Sequence, residues 1–266
     1  MSEEKKRRRR RDVTNVIIII ASVAGILAAG GATLAGVLSS GALGGNGAGL
    51  AQQEVRPVWV DALNNTIKGQ GFDWLELDVS DRIATIGGEA ASDTIATRGF
   101  NAAQTAIRND AAASADVDLV INNIKVAGQQ GLGEAFARLG RLPAAAACQQ
   151  AFIETLAGRF VGFERASARI TGESAQLLDA LSGVALRCQA HQIEVGGHTD
   201  LSGGAGRNLL LSQARADAVK EYLVSRNVPA GQLSAIGYGE ERPIDTSGGP
   251  EADARNRRIE FAVRAG

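Results

Sequence analysis

The chain has 266 residues, 28 basic and 29 acidic, with a formal net charge of −1 and only 4% aromatic side chains. That leaves room for one or two domains with small aliphatic cores. Seven of the basic residues crowd into positions 5–11, so the remainder is acidic and lacks the basic surface that nucleic-acid binding requires.

Residues 1–12 read as a basic tail. Residues 13–38 (VTNVIIIIASVAGILAAGGATLAGVL) contain no charge, and this run of 26 exceeds the roughly 20 apolar residues that a membrane-spanning helix needs. The positive-inside rule then keeps KKRRRRR in the cytoplasm and sends the C-terminal part across the membrane. A cleaved signal peptide is the competing reading and would put the protein further out in the envelope. Its apolar core is normally shorter, with a small-residue cleavage site close behind, whereas the nearest candidate site here follows Ala51. No cysteine lies near the span to carry a lipid anchor. Gly25/Ala29 and Ala32/Gly36, at four-residue spacing, would let two such helices pack into a homo-oligomer, or are incidental in a span so rich in Ala and Gly.

Residues 39–53 (SSGALGGNGAGLAQQ) read as a flexible linker spanning on the order of 20 Å. The next segment, 54–127, reads as a small α+β unit. VWVDALNNTIKG has Trp59, Leu63 and Ile67 on one helical face. Residues 74–80 and 82–88 alternate apolar and polar as strands do, 92–112 read as a second helix, and 117–126 as a third strand. This helix–strand–strand–helix–strand order, with WLELDVSDRIATIGGEA and VDLVINNIKV, resembles the BON domain. The resemblance implies a small envelope module without catalytic residues, acting as a spacer or touching a protein or lipid partner.

Residues 128–143 read as a Gly-rich, then helical, inter-domain linker. In 144–266 the pattern predicts a helix over 144–157, a strand over 159–163, and a helix over 171–190 that buries Leu177, Leu178, Leu181, Val184 and Ala185. A strand over 193–196, a helix over 208–226, a strand over 233–237, a short helix ending at 255–257 and a strand over 259–263 follow. Strands alternating with helices indicate a two-layer α/β sandwich, a mixed sheet with helices on one face. The fold class of the whole chain is thus α+β after a transmembrane helix.

Cys148 and Cys188 are the only cysteines. Beyond the span the compartment is oxidising, so they form either one disulfide closing a 40-residue loop or two buried free thiols. With His191 and His198 the only histidines, no Cys or His pair has metal-ligand spacing. No metal or cofactor is expected. His198 is expected to orient a turn rather than perform catalysis.

That turn is GHTDLSGGAGRNLLLSQARA, residues 197–216. Four glycines, at 197, 203, 204 and 206, let the backbone approach a ligand closely. In the helix that follows, Asn208, Leu211, Arg215 and Val219 lie along one side, with Leu211 and Val219 facing the sheet and Asn208 and Arg215 beside the turn. Asp200 offers an acceptor for an ammonium, and Arg215 a forked donor for a carboxylate. The helix N-terminus adds free N–H groups. A small group with a separated ammonium and carboxylate fits this arrangement. The plain alternative is that Asp200 and Arg215 pair with each other.

FERASARI, EVGGHTD, NLLLSQARA, GYGEERP and NRRIEF occur in this order and closely resemble the C-terminal OmpA-like domain. The resemblance implies non-covalent binding of peptidoglycan through meso-diaminopimelate, whose side-chain end keeps a free ammonium and carboxylate. By motif position the diaminopimelate-binding acid falls on Asp200, beside Thr199, and the arginine on Arg215. Asn208 matches a groove-lining Asn. Phe163-Glu164 matches the family's usual Phe-Asp, with a longer acid at Glu164. Arg257 and Arg258 match the NRR segment, where one supports the site or contacts the peptide, or both form structural ion pairs.

The expected function is an inner-membrane tether that grips the cell wall from the periplasm, with no enzymatic turnover. A motor stator would need an ionisable carboxylate within its span, and residues 13–38 have none. A channel or envelope-assembly component, built from oligomerised BON-like units and anchored by the OmpA-like domain, is the alternative. A peptidoglycan hydrolase is disfavoured, since nothing in the groove is placed as nucleophile with base.

Overall fold

The computed structural model describes residues 56–126 and 128–265. The basic tail, the apolar run 13–38 and the linker 39–53 lie outside the described residues. Among those described, no helix is long and apolar enough to cross a membrane.

Helix α1 (Val58–Gly69) buries Val60, Leu63, Asn64 and Ile67, a stripe at helical spacing. Strands β1 (Leu75–Ser80) and β2 (Ile83–Ala90) form an antiparallel hairpin. Its two-residue turn, Asp81-Arg82, holds positive φ at both positions (50° and 64°), as the turn matched to strand twist demands. Arg82 is fixed there by two bonds to the Asp118 carboxylate, at 2.6 and 2.9 Å. The expected second helix divides in two. Helix α2 (Asp93–Asn109) stops at Asp110, whose side chain accepts from the N–H groups of Ala112 and Ala113 and so starts α3 (Ala111–Asp116). Strand β3 (Leu119–Val126) pairs parallel with β2, giving the order β1-β2-β3. One face of this sheet packs on α1 and α2 through Leu75, Leu77, Ala84 and Ile86.

The opposite face continues into the C-terminal half. Ile83, Leu119 and Ile121 share one core with Phe136, Leu177, Leu181 and Val184. Helix α4 (Glu134–Arg138), within the stretch read as a linker, buries Ala135 and Phe136. Helix α6 (Ala175–Arg187), which follows α5 (Ala145–Leu156), turns one side to the first sheet. Gln176 accepts from Asn122 (2.9 Å), Gly183 lies against the tip of Ile121, and Arg187 reaches Ser80 (3.1 Å) and Asp81 (3.1 Å).

The second sheet runs β5-β4-β6. Strand β4 (His191–His198) is central, parallel to β5 (Leu233–Gly239) and antiparallel to β6 (Ile259–Ala265). Ile193, Val195 and Phe261 join the core beneath α5, α6 and α7 (Ala205–Ser225), and Phe152 stacks on Phe261 at 4.7 Å. Cys148 on α5 is disulfide-bonded to Cys188 at the end of α6, and both are fully buried.

The strand expected over 159–163 does not form. Only a single bridge joins Phe163 to Ile170, closing a loop. The physical reason is the absence of an open edge to pair with. Gln149 of α5 bonds Phe261 O and Val263 N on the outer side of β6, and Gln213 of α7 bonds Ala235 O and Gly237 N on the outer side of β5.

Candidate functional site

The end of β4 and the start of β6 lie side by side, with Gly197 opposite Ile259 and the N–H of His198 donating to Arg258 O (3.0 Å). The turn after β4 therefore meets the segment before β6. Thr199 is buried, donating its N–H to Gly239 O (2.9 Å) and its hydroxyl to Asp200 O (3.0 Å). Asp200 then emerges with its side chain 15% exposed. Its Oδ1 accepts from Ser202 N (3.0 Å) and its Oδ2 from Arg257 Nη1 (2.7 Å). Burial raises the Asp200 carboxyl, but Arg257 and the Ser202 N–H outweigh it and hold the group below the usual aspartate value.

The NRR segment divides its labour. Asn256 is buried and clamps the backbone of residues 244 and 245 through three hydrogen bonds. Arg258 bonds Glu260 Oε1 (2.6 Å), Asn256 O (3.3 Å) and Arg242 O (3.1 Å). Arg257 alone turns to Asp200. Glu260 also lies 3.2 Å from Nε2 of the buried His198. His198 first, and Arg258 against the cost of burial, hold its carboxyl down to about 2.

Helix α7 approaches the sheet closely because Gly197 and Gly237 carry no side chain. A Cβ at Gly197 would overlap Ser212 O, and one at Gly237 would overlap Gln213 N. The buried stripe is accordingly Asn208, Ser212, Ala216, Val219 and Leu223. The expected sheet-facing role of Leu211 is corrected: it is only partly buried, because small Ser212 and Ala216 fit the short gap. Asn208 forms part of the turn itself. Its Nδ2 donates to Asp200 O (3.4 Å), Ser202 O (3.1 Å) and Glu240 Oε2 (2.6 Å).

Arg215 is half-buried beside this stripe. Its Nε donates to Ser167 O (3.0 Å) and its guanidinium lies over the Phe163 ring at 4.9 Å. Among the described residues its two Nη groups make no hydrogen bond, and neither is buried. Burial and then the charge of Arg257 lower its pKa, while Asp200 raises it. The charges of Asp200 and Arg257 both act on Arg215, but the direct pair is Asp200–Arg257, not Asp200–Arg215. Glu164 is exposed, 3.6 Å from Arg169. The loop at 163–170 presents Ser167 O to Arg215 through an Ala166 kink with φ of 52°. Sequence reasoning missed this carbonyl and the Ser202 amide, because a backbone group carries no residue-type signal.

Residues 162–257 match the OmpA family. Among curated relatives, the peptidoglycan-binding protein ArfA of Mycobacterium tuberculosis is 31% identical over 146 residues, covering 54% of this chain and 42% of that protein. The peptidoglycan-associated lipoprotein of Pasteurella multocida is 40% identical over 103 residues, covering 39% of this chain and 67% of that protein. The chain spans less than half the length of the first of these. Of solved structures, the peptidoglycan-associated lipoprotein from Burkholderia pseudomallei aligns at 27% identity over 40% of this chain and 87% of that one, with a TM-score of 0.36.

Proposed function

We propose, from the premise that the chain belongs to the OmpA family, that it binds peptidoglycan non-covalently through meso-diaminopimelate of the stem peptide. The relatives named above are peptidoglycan-binding or peptidoglycan-associated proteins. One observation supports the finer reading. Arg215 is braced from behind by Phe163 and Ser167 O, which leaves its Nη groups free on a site it shares with Asp200. The Asp200 carboxylate receives the ligand ammonium on its remaining lone pairs, and Arg215 receives the carboxylate as a forked pair. Thr199 and Asn208 hold the turn. Arg257 fixes Asp200, Arg258 supports the segment, and Glu164 stands at the outer wall.

In this reading residues 13–38 anchor the chain in the inner membrane and the BON-like unit, 54–127, spaces or docks it. The OmpA-like domain, 144–266, then holds the wall in the periplasm. Each grip is weak, and many tethers beneath one polymer act by avidity. The test is co-sedimentation of the full-length chain with purified sacculi. Asp200→Ala and Arg215→Ala should each abolish it while circular dichroism stays unchanged, and retained binding in both rejects the site. Walls with lysine in place of diaminopimelate should bind poorly, for want of the carboxylate that Arg215 takes.

A further inference from the structure

We infer that Arg257 is a specificity residue of this groove, selecting a ligand that carries a second free carboxylate besides the ammonium and carboxylate of its side-chain end. This rests on the reading above and adds to it the charge that the ligand must bring.

Two guanidiniums attend one carboxylate here. Arg257 Nη1 donates to Asp200 Oδ2 at 2.7 Å, and among the described residues Arg257 makes no other side-chain hydrogen bond. Its side chain is 46% exposed, whereas that of Arg258 is 14% exposed and committed to Glu260 and two carbonyls. Arg257 therefore has more donors to spare than Arg258, and more exposed ones. Arg215 is the second cation whose charge is coupled to Asp200. Asn208, whose amide lies 3.4 Å from Asp200 O, precedes it by two helical turns, about 10 Å along the axis. A helical side chain leans toward the N-terminus, so Arg215 leans toward the end of α7 at which the Asp200 turn enters. Arg215 has committed only its Nε.

The nearest acids do not cancel this surplus. Glu240 keeps its charge, because its partner Asn208 Nδ2 (2.6 Å) is neutral, but Glu240 is not among the charges that act on Arg215, and Glu164 lies 3.6 Å from Arg169. Around Arg215 two cations thus attend one anion, and the charge of Arg257 works against that of Arg215. A zwitterion with one ammonium and one carboxylate satisfies Asp200 and Arg215 but leaves that surplus in place. A diaminopimelate that ends its stem peptide brings an ammonium and a carboxylate at its side-chain end and a second free carboxylate at its main-chain end. Arg257 is placed to take the second. Extending the peptide or amidating that carboxyl removes the match.

The test uses calorimetric titration of the full-length chain with two synthetic tripeptides, L-Ala-γ-D-Glu-meso-diaminopimelate and the same peptide amidated at the main-chain carboxyl of diaminopimelate. One charge-assisted bond at a half-exposed guanidinium predicts a preference of ~10-fold for the acid in the wild type. In Arg257→Gln the preference should fall to within ~2-fold, and Arg257→Lys should restore part of it, because charge survives but the fork does not. A general loosening of the turn would weaken both peptides alike and leave their ratio unchanged. Equal binding by the wild type, or a ratio that survives in Arg257→Gln, overturns the inference. The parent reading stands in either case if sacculus binding is still lost in Asp200→Ala. Failure of the wild type to bind either peptide or sacculi overturns both.

Discussion

Gln149 and Gln213 close opposite edges of the same sheet. Each spends both ends of its amide on one strand's outer backbone, Gln149 on Phe261 O (2.9 Å) and Val263 N (2.8 Å), Gln213 on Ala235 O (3.1 Å) and Gly237 N (2.8 Å). The first sheet repeats the device, with Asn64 bonding both the N–H and the C=O of Leu77 at 2.8 and 2.9 Å. Edge strands otherwise offer unpaired groups to other chains. These amides let three strands suffice.

Replacing either glutamine by alanine should therefore cost about 1–3 kcal/mol, the penalty of leaving backbone partners unpaired in a partly buried place. Gln213→Ala should be felt in sacculus binding as well, since α7 carries Arg215. Urea unfolding of the two variants against the wild type measures the first effect. An unchanged midpoint in both would show that water replaces the amides at no cost.

Gly197→Ala and Gly237→Ala test how closely α7 must lie on the sheet. Each new Cβ overlaps a helix backbone atom rather than a yielding side-chain tip, so the helix has to move. Overpacking of this kind typically costs about 1–3 kcal/mol. We expect both variants to fold with lowered stability and to lose sacculus binding out of proportion, because the shift carries Arg215 away from Asp200. Full binding by a folded Gly197→Ala would mean that the groove tolerates a displaced helix.

Much of this architecture was legible in the sequence because it is local. The stripe Leu63–Ile67 in α1, the alternation in β1 and β2, and the aliphatic face of α6 are periodic patterns that burial alone creates. What escaped depends on individual polar bonds or on partners distant in the chain. The break at Asp110 is a side-chain–backbone bond, invisible to a hydrophobic pattern. The apolar stretch at 159–163 has strand-like residues but no edge to join. In the site, a single turn with an acid and a helix with an arginine were readable. The choice between Arg257 and Arg258 was not, because adjacent residues of one type differ only in what faces them.

The two sheets share one core through α6, so unfolding should be a single transition. Ile121 is fully buried against Gly183, and truncating a buried Ile to Ala costs about 2–5 kcal/mol. Differential scanning calorimetry of Ile121→Ala should show one peak moved to lower temperature, with the second sheet melting alongside the first. Two peaks, of which only one shifts, would mean that the halves fold independently despite their contact.

Acid stability offers the last prediction, and it turns on Glu260. His198 and Arg258 hold its folded-state carboxyl down to about 2, while a glutamate in the unfolded chain titrates near about 4.3. A depressed folded value means that the native state binds its proton later than the unfolded state does. The stabilisation is therefore fully present above the unfolded value and is lost as pH falls from about 4.3 toward about 2. The carboxylate is 49% exposed, so solvent screening keeps the effect to the scale of a surface pair, below about 1 kcal/mol. Glu260→Gln should lower the urea midpoint slightly at pH 6 and flatten its fall between pH 4.3 and 2, so that wild type and variant converge at the acid end. A constant gap between the two across that range would show that the acid limb belongs to other carboxylates.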